Sequence, residues 1–404
     1  MAERGEWSYE NTLRRGAGKR FLLVPLGGSR NGGAQGGNCE NGPPPRRNME
    51  GLSWLNAEES WMDRVRHTKK PVVVYGMGNG ADKLFALLEE QGVAVADVMA
   101  SDGFVRGHVY RGFRVKTYRE ICERYGDVLI LLAFATDLAD VMGGIRRIAR
   151  EQEVYAPELP VFGGGIFDAA YAEAHAGELA EVYDRLADGE SRRVMAGLLN
   201  FRLHGRMEEL EAIASPRARA YREILRLTRE ETYADLGAYT GDTIREFLEC
   251  TGGYRGIIAL EPAEKNFEKL EKYAEENHLE NVELHRLAAY SGPAVLKFSA
   301  KSGRCAAIAG EGKREVPADS LDHILDGRGV SFVKMDVEGA ERPAILGMEA
   351  TIRRWHPKML VAAYHRTEDI YTLPRMLWEI WPEARIYLRK HPYIPGWEAN
   401  FYIV

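Results

Sequence analysis

Seven strand-like segments between Thr232 and the C-terminus constrain the fold of this chain most strongly. Helical patterns separate the first five segments, whereas the last two are joined only by PYIPGW (392–397). This link is too short for a crossover helix, so the last two strands should form an antiparallel hairpin. The sequence therefore predicts an α/β domain with five parallel strands and a C-terminal antiparallel hairpin. The segments are TYADLGA, RGIIALEPA, VELHRLAAY, VSFVKMDVEG, KMLVAAYH, ARIYLRKH and EANFYIV.

The chain of 404 residues is long enough for more than one domain. Residues 1–50 are rich in Gly, Asn and Pro and are expected to be disordered. Residues 51–165 alternate buried-strand and helix patterns, which predicts a smaller α/β Rossmann-like domain. Residues 166–230 lack strand signals and should form a helical connector. Residues 231–404 contain the seven strand segments and should form the second α/β domain.

Composition excludes several classes of function. With 54 Lys+Arg against 60 Asp+Glu, the formal charge of −6 gives no electrostatic footprint for nucleic acid. The longest apolar run, 128–135, is far shorter than the ~20 residues of a membrane-spanning helix. The four cysteines lie far apart and form no C-x-x-C pair, so we expect reduced thiols in a cytoplasmic protein.

A glycine turn, DLGAYTGD, follows the first strand of the C-terminal region. Gly237 and Gly241 allow a tight turn and a close backbone approach to a ligand. Glu261 ends the next strand, where an acid suits hydrogen bonding to two ribose hydroxyls. S-adenosylmethionine (SAM) fits this pattern better than a nicotinamide cofactor, because the turn lacks G-x-G-x-x-G spacing. A helix-capping loop with Asp242 in the first turn is the structural alternative.

The region from Asp235 to the C-terminus resembles the FkbM family of SAM-dependent methyltransferases. The matching stretches are DLGAYTGDT, EPAEKNFEKL, VPADSLDHIL, FVKMDVEGAE, AYHRTEDIYTLP and YLRKH, and LADGESRRVMAGLLNFRLHG resembles the lead-in of longer members. The resemblance implies a class I fold and O-methylation of hydroxyls on sugars or natural products. It implies cofactor contacts in the glycine turn and at the ends of the second, third and fourth strands of the C-terminal region. These residues are Asp235, Gly237, Tyr239, Gly241, Asp242, Glu261, Ala288, Ala289 and Asp336.

The fourth strand ends in a group of acids, in FVKMDVEGAER. In this fold the strand lies next to the first strand, at the point where ligands bind, so Asp336 should face the methyl-transfer cleft. Lys334 lies on the same face of the strand and should pair with an acid, because an unpaired buried charge is costly. Glu341 has a simpler interpretation as a first-turn acid favoured by the helix dipole.

His365 follows the fifth strand and is the candidate catalytic base. Adjacent strands are ~4.8 Å apart, so His365 and Asp336 could approach hydrogen-bonding range. Histidine titrates near neutrality, so the rate should rise through an ionisation between about 6 and 7.5. His391 could also line the acceptor pocket. A metal site formed by Asp336, Glu338, His365 and His391 is a further alternative, although no spacing demands one.

The region of residues 51–165 has a glycine turn of its own, GMGNGA. Gly76, Gly78 and Ala81 occupy the three small positions of a dinucleotide-binding turn, and Asp102 ends the next strand. This pattern leaves open an oxidoreductase that binds NAD or a nucleotide sugar here, with the C-terminal region as a regulatory SAM sensor. A binding module without turnover is a third hypothesis.

The leading hypothesis is a cytoplasmic SAM-dependent O-methyltransferase with His365 and Asp336 as its catalytic residues. The acceptor would be a small-molecule or carbohydrate hydroxyl, without nucleic acid or membrane as a partner and with no metal required. A homo-oligomer is compatible with this hypothesis. We expect the transfer to use residues after Asp235 and not to need the first α/β region directly.

Overall fold

A computed structural model describes residues 51–298 and 314–404, apart from positions 57, 106 and 164. The prediction of disorder for residues 1–50 lies outside this part of the chain. No helix in the described part is long and apolar enough to cross a membrane.

The first region contains a four-stranded, fully parallel sheet with the order β2-β1-β5-β6. The central strands form from the apolar runs VVVY and LILL, which are buried at every position. Its elements are α1 (Trp61–His67), β1 (Val72–Tyr75), α2 (Asn79–Glu90), β2 (Val95–Met99), α3 (Asp102–Val105), β3 (Val109–Tyr110), β4 (Phe113–Arg114), α4 (Tyr118–Tyr125), β5 (Leu129–Leu132), α5 (Ala139–Glu151) and β6 (Glu153–Tyr155).

Helices occupy the stretch between the two larger sheets. They are α6 (Ala169–Ala174), α7 (Ala176–Arg185), α8 (Gly189–His204), α9 (Met207–Glu211) and α10 (Arg217–Ala220), followed by a π-helix at Tyr221–Leu225. Asp188 caps the N-terminus of α8, and Gly205 ends this helix in the left-handed conformation, with φ of 66°.

The C-terminal region is built around a seven-stranded sheet, as predicted. Its elements are β7 (Thr232–Leu236), α11 (Asp242–Thr251), β8 (Gly256–Leu260), α12 (Glu264–Glu276), β9 (Val282–His285), β10 (Ala288–Ala289), β11 (Ala294–Phe298), β12 (Arg314–Asp319), α13 (Leu321–Leu325), β13 (Phe332–Met335), α14 (Glu341–Leu346), α15 (Glu349–Trp355), β14 (Lys358–Ala362), α16 (Asp369–Ile380), β15 (Ile386–Lys390) and β16 (Ala399–Ile403). The order is β15-β16-β14-β13-β7-β8-β9.

Strand directions confirm the predicted fold class. The five strands β7, β8, β9, β13 and β14 are mutually parallel, and β15 and β16 form the antiparallel hairpin. The prediction of one strand across VELHRLAAY is wrong in part. The chain leaves the main sheet after His285, and Ala288–Ala289 pair with β12 in a separate three-stranded sheet. The residues expected beside adenine therefore do not end the third strand.

The two regions share one apolar core. A single cluster of buried side chains runs from Leu52 through β1 and β5 of the first sheet, and then through α8 to β13 and β16. The carboxyl ends of β7 and β13 lie side by side in this arrangement, since the two strands pair in register from Phe332 to Met335. The fold thereby places the glycine turn next to the acids of the fourth strand.

Candidate active site

The glycine turn after β7 packs directly on the end of β13. Gly237 has φ of 88°, and a Cβ at this position would collide with the carbonyl oxygen of Asp336. Gly241 has φ of 86°, and a Cβ there would lie 2.6 Å from the ring of Tyr273. Tyr239 between them also has a positive φ of 49°. Only glycine fits the first two positions, because protein atoms approach them closely. The predicted approach of this backbone to a ligand stays a prediction.

Glu261 connects the end of β8 to the glycine turn. Its carboxylate accepts hydrogen bonds from the backbone N–H of Tyr239 at 3.0 Å and of Ala263 at 2.8 Å. The side chain is buried, and burial raises its pKa although these donors act in the opposite direction. The carboxylate thus lies at the strand tip where a ribose contact was predicted, already held by backbone donors.

Asp235 and Lys334 form a buried ion pair beneath the turn. Lys334 Nζ lies 3.2 Å from Asp235 Oδ1 and donates a hydrogen bond to the carbonyl of Gly237 at 2.6 Å. Thr243 donates to the other oxygen of Asp235 at 2.5 Å. The prediction that Lys334 pairs with an acid is confirmed. Asp235 is fully buried, so it supports the turn from beneath. Its predicted contact with a cofactor stays a prediction.

His365 lies at the centre of the acid cluster. Its Nδ1 lies 2.8 Å from Glu341 Oε1, and its Nε2 lies 3.4 Å from Asp336 Oδ1 and 3.6 Å from Glu338 Oε2. The side chain is 2% exposed. The approach of Asp336 and His365 on adjacent strand ends is therefore present, and two further carboxylates surround the same imidazole.

The backbone of the turn after β13 orients these carboxylates toward His365. Glu338 and Gly339 both have positive φ, at 53° and 87°. Backbone N–H groups of Val337 and Gly339 donate to the same Glu341 oxygen that binds His365, at 3.2 Å and 3.4 Å. Glu341 also begins α14, as its simpler interpretation predicted, but its carboxylate is turned inward. A left-handed glutamate is unusual, and such residues are frequent at functional sites.

The charges around His365 overturn one expectation. Burial disfavours the imidazolium, but Glu341, Asp336 and Glu338 outweigh burial and raise the pKa of His365 to about 10. Burial and the neighbouring acids raise the pKa of Glu338 to about 8. The predicted ionisation of His365 between 6 and 7.5 is therefore wrong. A raised pKa favours the protonated imidazole, which works against the predicted role of His365 as the base.

An aromatic wall, which the sequence did not indicate, borders Asp336. Tyr364 donates a hydrogen bond from its hydroxyl to Asp336 Oδ2 at 3.1 Å. The ring of Trp397 stacks between Tyr364 and Tyr393, with centroids at 6.5 Å and 5.9 Å. Two of the three rings come from the PYIPGW link, so the available signal was the aromatic content of a loop beside the cleft.

His391 does not belong to the cleft. Its Nδ1 lies 2.7 Å from the carbonyl of Ser215, and its Nε2 lies 2.6 Å from the hydroxyl of Tyr402. Burial lowers its pKa to about 3. Both ring nitrogens are engaged in the interior, so the hypothesis that His391 lines the acceptor pocket or binds a metal is not supported.

A linker from the first region covers the other side of His365. The backbone N–H of Phe162 donates to the carbonyl of His365 at 2.9 Å. A Cβ on Gly339 would lie 2.5 Å from the Phe162 ring. Lys83 Nζ in turn donates to the carbonyls of Pro160 and Val161, at 2.7 Å and 2.8 Å. The first region therefore contacts the candidate site, which sequence reasoning missed.

The chain is similar to a known protein family and to solved structures. Residues 235–395 match the family of the methyltransferase FkbM domain. Methyltransferase FkbM from Methylobacillus flagellatus KT is 20% identical, with a TM-score of 0.67 over 88% of this chain and 95% of that chain. An rRNA methylase from Streptococcus thermophilus is 14% identical, with a TM-score of 0.29 over 44% of this chain and 86% of its own. None of the curated proteins matches the chain in sequence.

Proposed function

The domain at residues 235–395 belongs to the FkbM methyltransferase family, and from this premise we propose that the chain transfers a methyl group from SAM to a hydroxyl. The acceptor would be a small molecule or a carbohydrate. SAM supplies a methyl group that its sulfonium already activates. The protein must hold this cofactor, align the acceptor oxygen behind the methyl group and stabilise the charges that change during transfer.

The cofactor would lie across the glycine turn. Gly237 and Gly241 allow the tight turn that packs against Asp336 and Tyr273, and Glu261 presents a carboxylate at the tip of β8 for the ribose hydroxyls. Asp242 is exposed and begins α11, where the helix dipole favours a negative charge. We assign its side chain a contact with the positively charged cofactor. Asp235 would act beneath the turn through Lys334.

The acceptor would enter between the turn and the acid cluster. In-line attack of its oxygen on the methyl carbon forms the C–O bond and breaks the C–S bond, whose electron pair stays on sulfur and leaves neutral S-adenosylhomocysteine. The hydroxyl proton is lost to water. Holding the two reactants in this geometry can contribute about 7–11 kcal/mol to lowering the barrier. Asp336 borders the methyl position, and Tyr364 and Trp397 would form the wall against which the acceptor packs.

One observation carries this proposal: the Gly237 turn, which suits SAM, touches the backbone of Asp336, whose side chain faces His365. The proposed cofactor site and the charged cleft would thus meet at the carboxyl ends of two adjacent parallel strands, where ligands bind in open α/β sheets.

The proposal is tested with methyl-labelled SAM, full-length protein and fractionated cell extract. We expect label to enter a small molecule or carbohydrate and to be stable to mild base, as an ether is and a methyl ester is not. Calorimetry with S-adenosylhomocysteine on the same protein should show binding at one site. Label found only in nucleic acid or protein, or no binding of S-adenosylhomocysteine, would contradict the proposed function.

A further inference from the structure

We infer that Glu338 is the catalytic base of the transfer, the group that takes the proton from the acceptor hydroxyl. This inference rests on the proposed function, because it assigns a role within the same cleft. The raised pKa of His365 works against that residue as the base and leaves the role open to another group. Three carboxylates surround the imidazole of His365, and they differ in what already binds them.

Two of these carboxylates, Glu341 and Asp336, are engaged by other partners. Glu341 is buried, and its Oε1 lies 2.8 Å from His365 Nδ1 and accepts hydrogen bonds from two backbone N–H groups. Asp336 accepts a hydrogen bond from the hydroxyl of Tyr364, and its other oxygen faces His365 Nε2 at 3.4 Å. Burial raises the pKa of Asp336, but Lys334 and His365 outweigh burial and lower it. A lowered pKa makes Asp336 a weak base.

Glu338 is the open carboxylate of the group. It has no hydrogen bond to any of the described residues. Its Oε2 lies 3.6 Å from His365 Nε2, whereas charge-assisted hydrogen bonds measure about 2.7–2.9 Å. The Glu338 side chain is 36% exposed, in contrast to the buried side chains of His365 and Glu341. An acceptor that enters from solvent can therefore reach Glu338.

The backbone holds Glu338 in a conformation that side chains rarely adopt. Its φ is 53°, and Gly339 follows with φ of 87°. A glycine would adopt this left-handed conformation without the steric cost that a glutamate bears. Because the carboxylate gains no hydrogen bond from the described part of the chain, stability does not explain a glutamate at this position. Backbone strain of this kind is frequent at functional sites.

Glu338 also lies close to the proposed methyl position. Asp336 follows β13 directly, and its carbonyl oxygen packs on the Gly237 turn where we place the cofactor. Asp336 Oδ1 and Glu338 Oε2 both approach the same nitrogen, His365 Nε2, so these two oxygens are neighbours. An acceptor oxygen that is aligned behind the methyl group beside Asp336 would therefore lie within reach of Glu338.

The proposed step balances in atoms and charge. The Glu338 carboxylate takes the hydroxyl proton as the acceptor oxygen attacks the methyl carbon. The C–O bond forms, the C–S bond breaks, and the electron pair of the C–S bond stays on sulfur. Carboxylate, alcohol and sulfonium thus give carboxylic acid, ether and thioether. The carboxylic acid then releases the proton to water.

The surroundings make Glu338 a stronger base than an ordinary glutamate. Burial raises its pKa to about 8, Asp336 and Glu341 act in the same direction, and His365 and Lys334 oppose them. A base is most effective when its pKa lies near the working pH. Only the ionised carboxylate accepts the proton, so the rate of methyl transfer should rise with pH up to about 8 and level above it.

The experiment measures transfer from methyl-labelled SAM to the extract fraction that the wild-type protein labels. We expect Glu338→Gln to lower turnover about 10²–10⁴-fold, the range for removal of a general base, with S-adenosylhomocysteine affinity within two-fold of wild type. The rise of the rate up to about pH 8 should be absent in this variant. Asp326→Asn is the matched control, because Asp326 is an exposed acid with φ of 47° at the end of α13. Its turnover and pH profile should equal those of wild type.

Glu338→Gly separates catalysis from folding. It removes the carboxylate and the steric cost of the left-handed conformation, so its unfolding temperature should be no lower than that of wild type while turnover falls as in Glu338→Gln. Turnover within three-fold of wild type in both variants, or a pH profile that Glu338→Gln shares with wild type, would overturn the assignment and leave the proposed function intact. No labelled fraction with wild-type protein, or no binding of S-adenosylhomocysteine, would instead count against the proposed function.

Discussion

The chain contains a strand–glycine turn–helix unit twice, and the two units differ in the residues that surround the turn. In each sheet a central strand leads through a glycine turn into a helix: β1 to α2 in the first region and β7 to α11 in the second. At the second turn a buried lysine, four acids and an imidazole lie at the ends of three adjacent strands. At the first turn Gly76 packs against the ring of Phe134 and Gly80 against the backbone of Ala133.

Packing contacts account for Gly76 and Gly80 of the first turn without a ligand, whereas the space around Gly78 is open. A Cβ on Gly80 would collide with the carbonyl of Ala133, so helix and strand pack closely there. The hydroxyl of Tyr110 donates to the carbonyl of Gly78 at 3.2 Å and to Asp82 at 2.7 Å. Asp102, expected at a strand end facing the turn, begins α3 and is exposed. No contact here favours the alternative of a dinucleotide-binding oxidoreductase.

The difference shows what a glycine pattern reports. A glycine pattern indicates where another group must approach the backbone closely. That group can be a packed part of the protein or a bound ligand. Buried charge beside the turn is the more specific signal, since charged groups are buried only when paired or when they serve chemistry.

Matched glycine substitutions test this distinction with the largest expected effect. Gly237→Ala places a Cβ against the carbonyl of Asp336, whereas Gly78→Ala meets nothing within 4 Å, although both positions have positive φ. We expect Gly237→Ala to weaken S-adenosylhomocysteine binding at least 100-fold, and Gly78→Ala to leave it within two-fold while costing about 1 kcal/mol of stability. Calorimetry on folded proteins decides. Equal losses in both variants would remove the basis of the comparison.

A smaller effect is expected from the acid at the second turn. Glu261→Ala removes the carboxylate proposed to bind the ribose, and charge-assisted hydrogen bonds are worth about 1.5–3 kcal/mol each, so affinity should fall at least ten-fold. Glu264→Ala on the neighbouring helix is the control, since its ion pair with Arg286 is exposed. Wild-type affinity for S-adenosylhomocysteine in folded Glu261→Ala protein would refute the assignment of Glu261.

The linker from the first region gives a third test, of whether the two regions act independently. Phe162→Ala removes the ring that packs on Gly339 beside His365. Because this ring is only half-buried, we expect a loss of about 1–2 kcal/mol in unfolding free energy. We also expect several-fold lower turnover at unchanged S-adenosylhomocysteine affinity, with rescue by Phe162→Leu. Phe104→Ala, at an exposed position of the first region, is the control. Unchanged turnover in Phe162→Ala would support the sequence expectation that transfer does not need the first region.

Periodicity and one short link were enough to predict the seven-stranded sheet, because buried parallel strands are continuous apolar runs and a six-residue link excludes a crossover. The same rules missed the three-stranded sheet, whose strand β12 contains Pro317 and whose strand β10 has two residues.

Adjacency of strand ends predicted the approach of Asp336 and His365. It could not predict that Glu341 and Glu338 join them, because their inward direction depends on a left-handed turn. The raised pKa of His365 follows from that tertiary arrangement.

The smallest predicted effect concerns a charge in the first region that acts on stability alone. Glu153 in β6 accepts hydrogen bonds from Arg64, which together with Lys70 outweighs burial and lowers its pKa to about 2. A lowered folded-state pKa stabilises the protein above the unfolded value of about 4.3 and loses this contribution as pH falls toward 2. Since Arg64 is 34% exposed, screening reduces the contribution to about 1–2 kcal/mol.

Urea unfolding should therefore show Glu153→Gln less stable than wild type by this amount at pH 7. This gap in unfolding free energy should narrow below about pH 4.5 and be less than half as large at pH 3. Glu123→Gln, in an exposed pair with Arg119, should differ from wild type by less than about 0.5 kcal/mol. A gap that stays constant from pH 7 to pH 3 would mean that Glu153 contributes through packing and not through its charge.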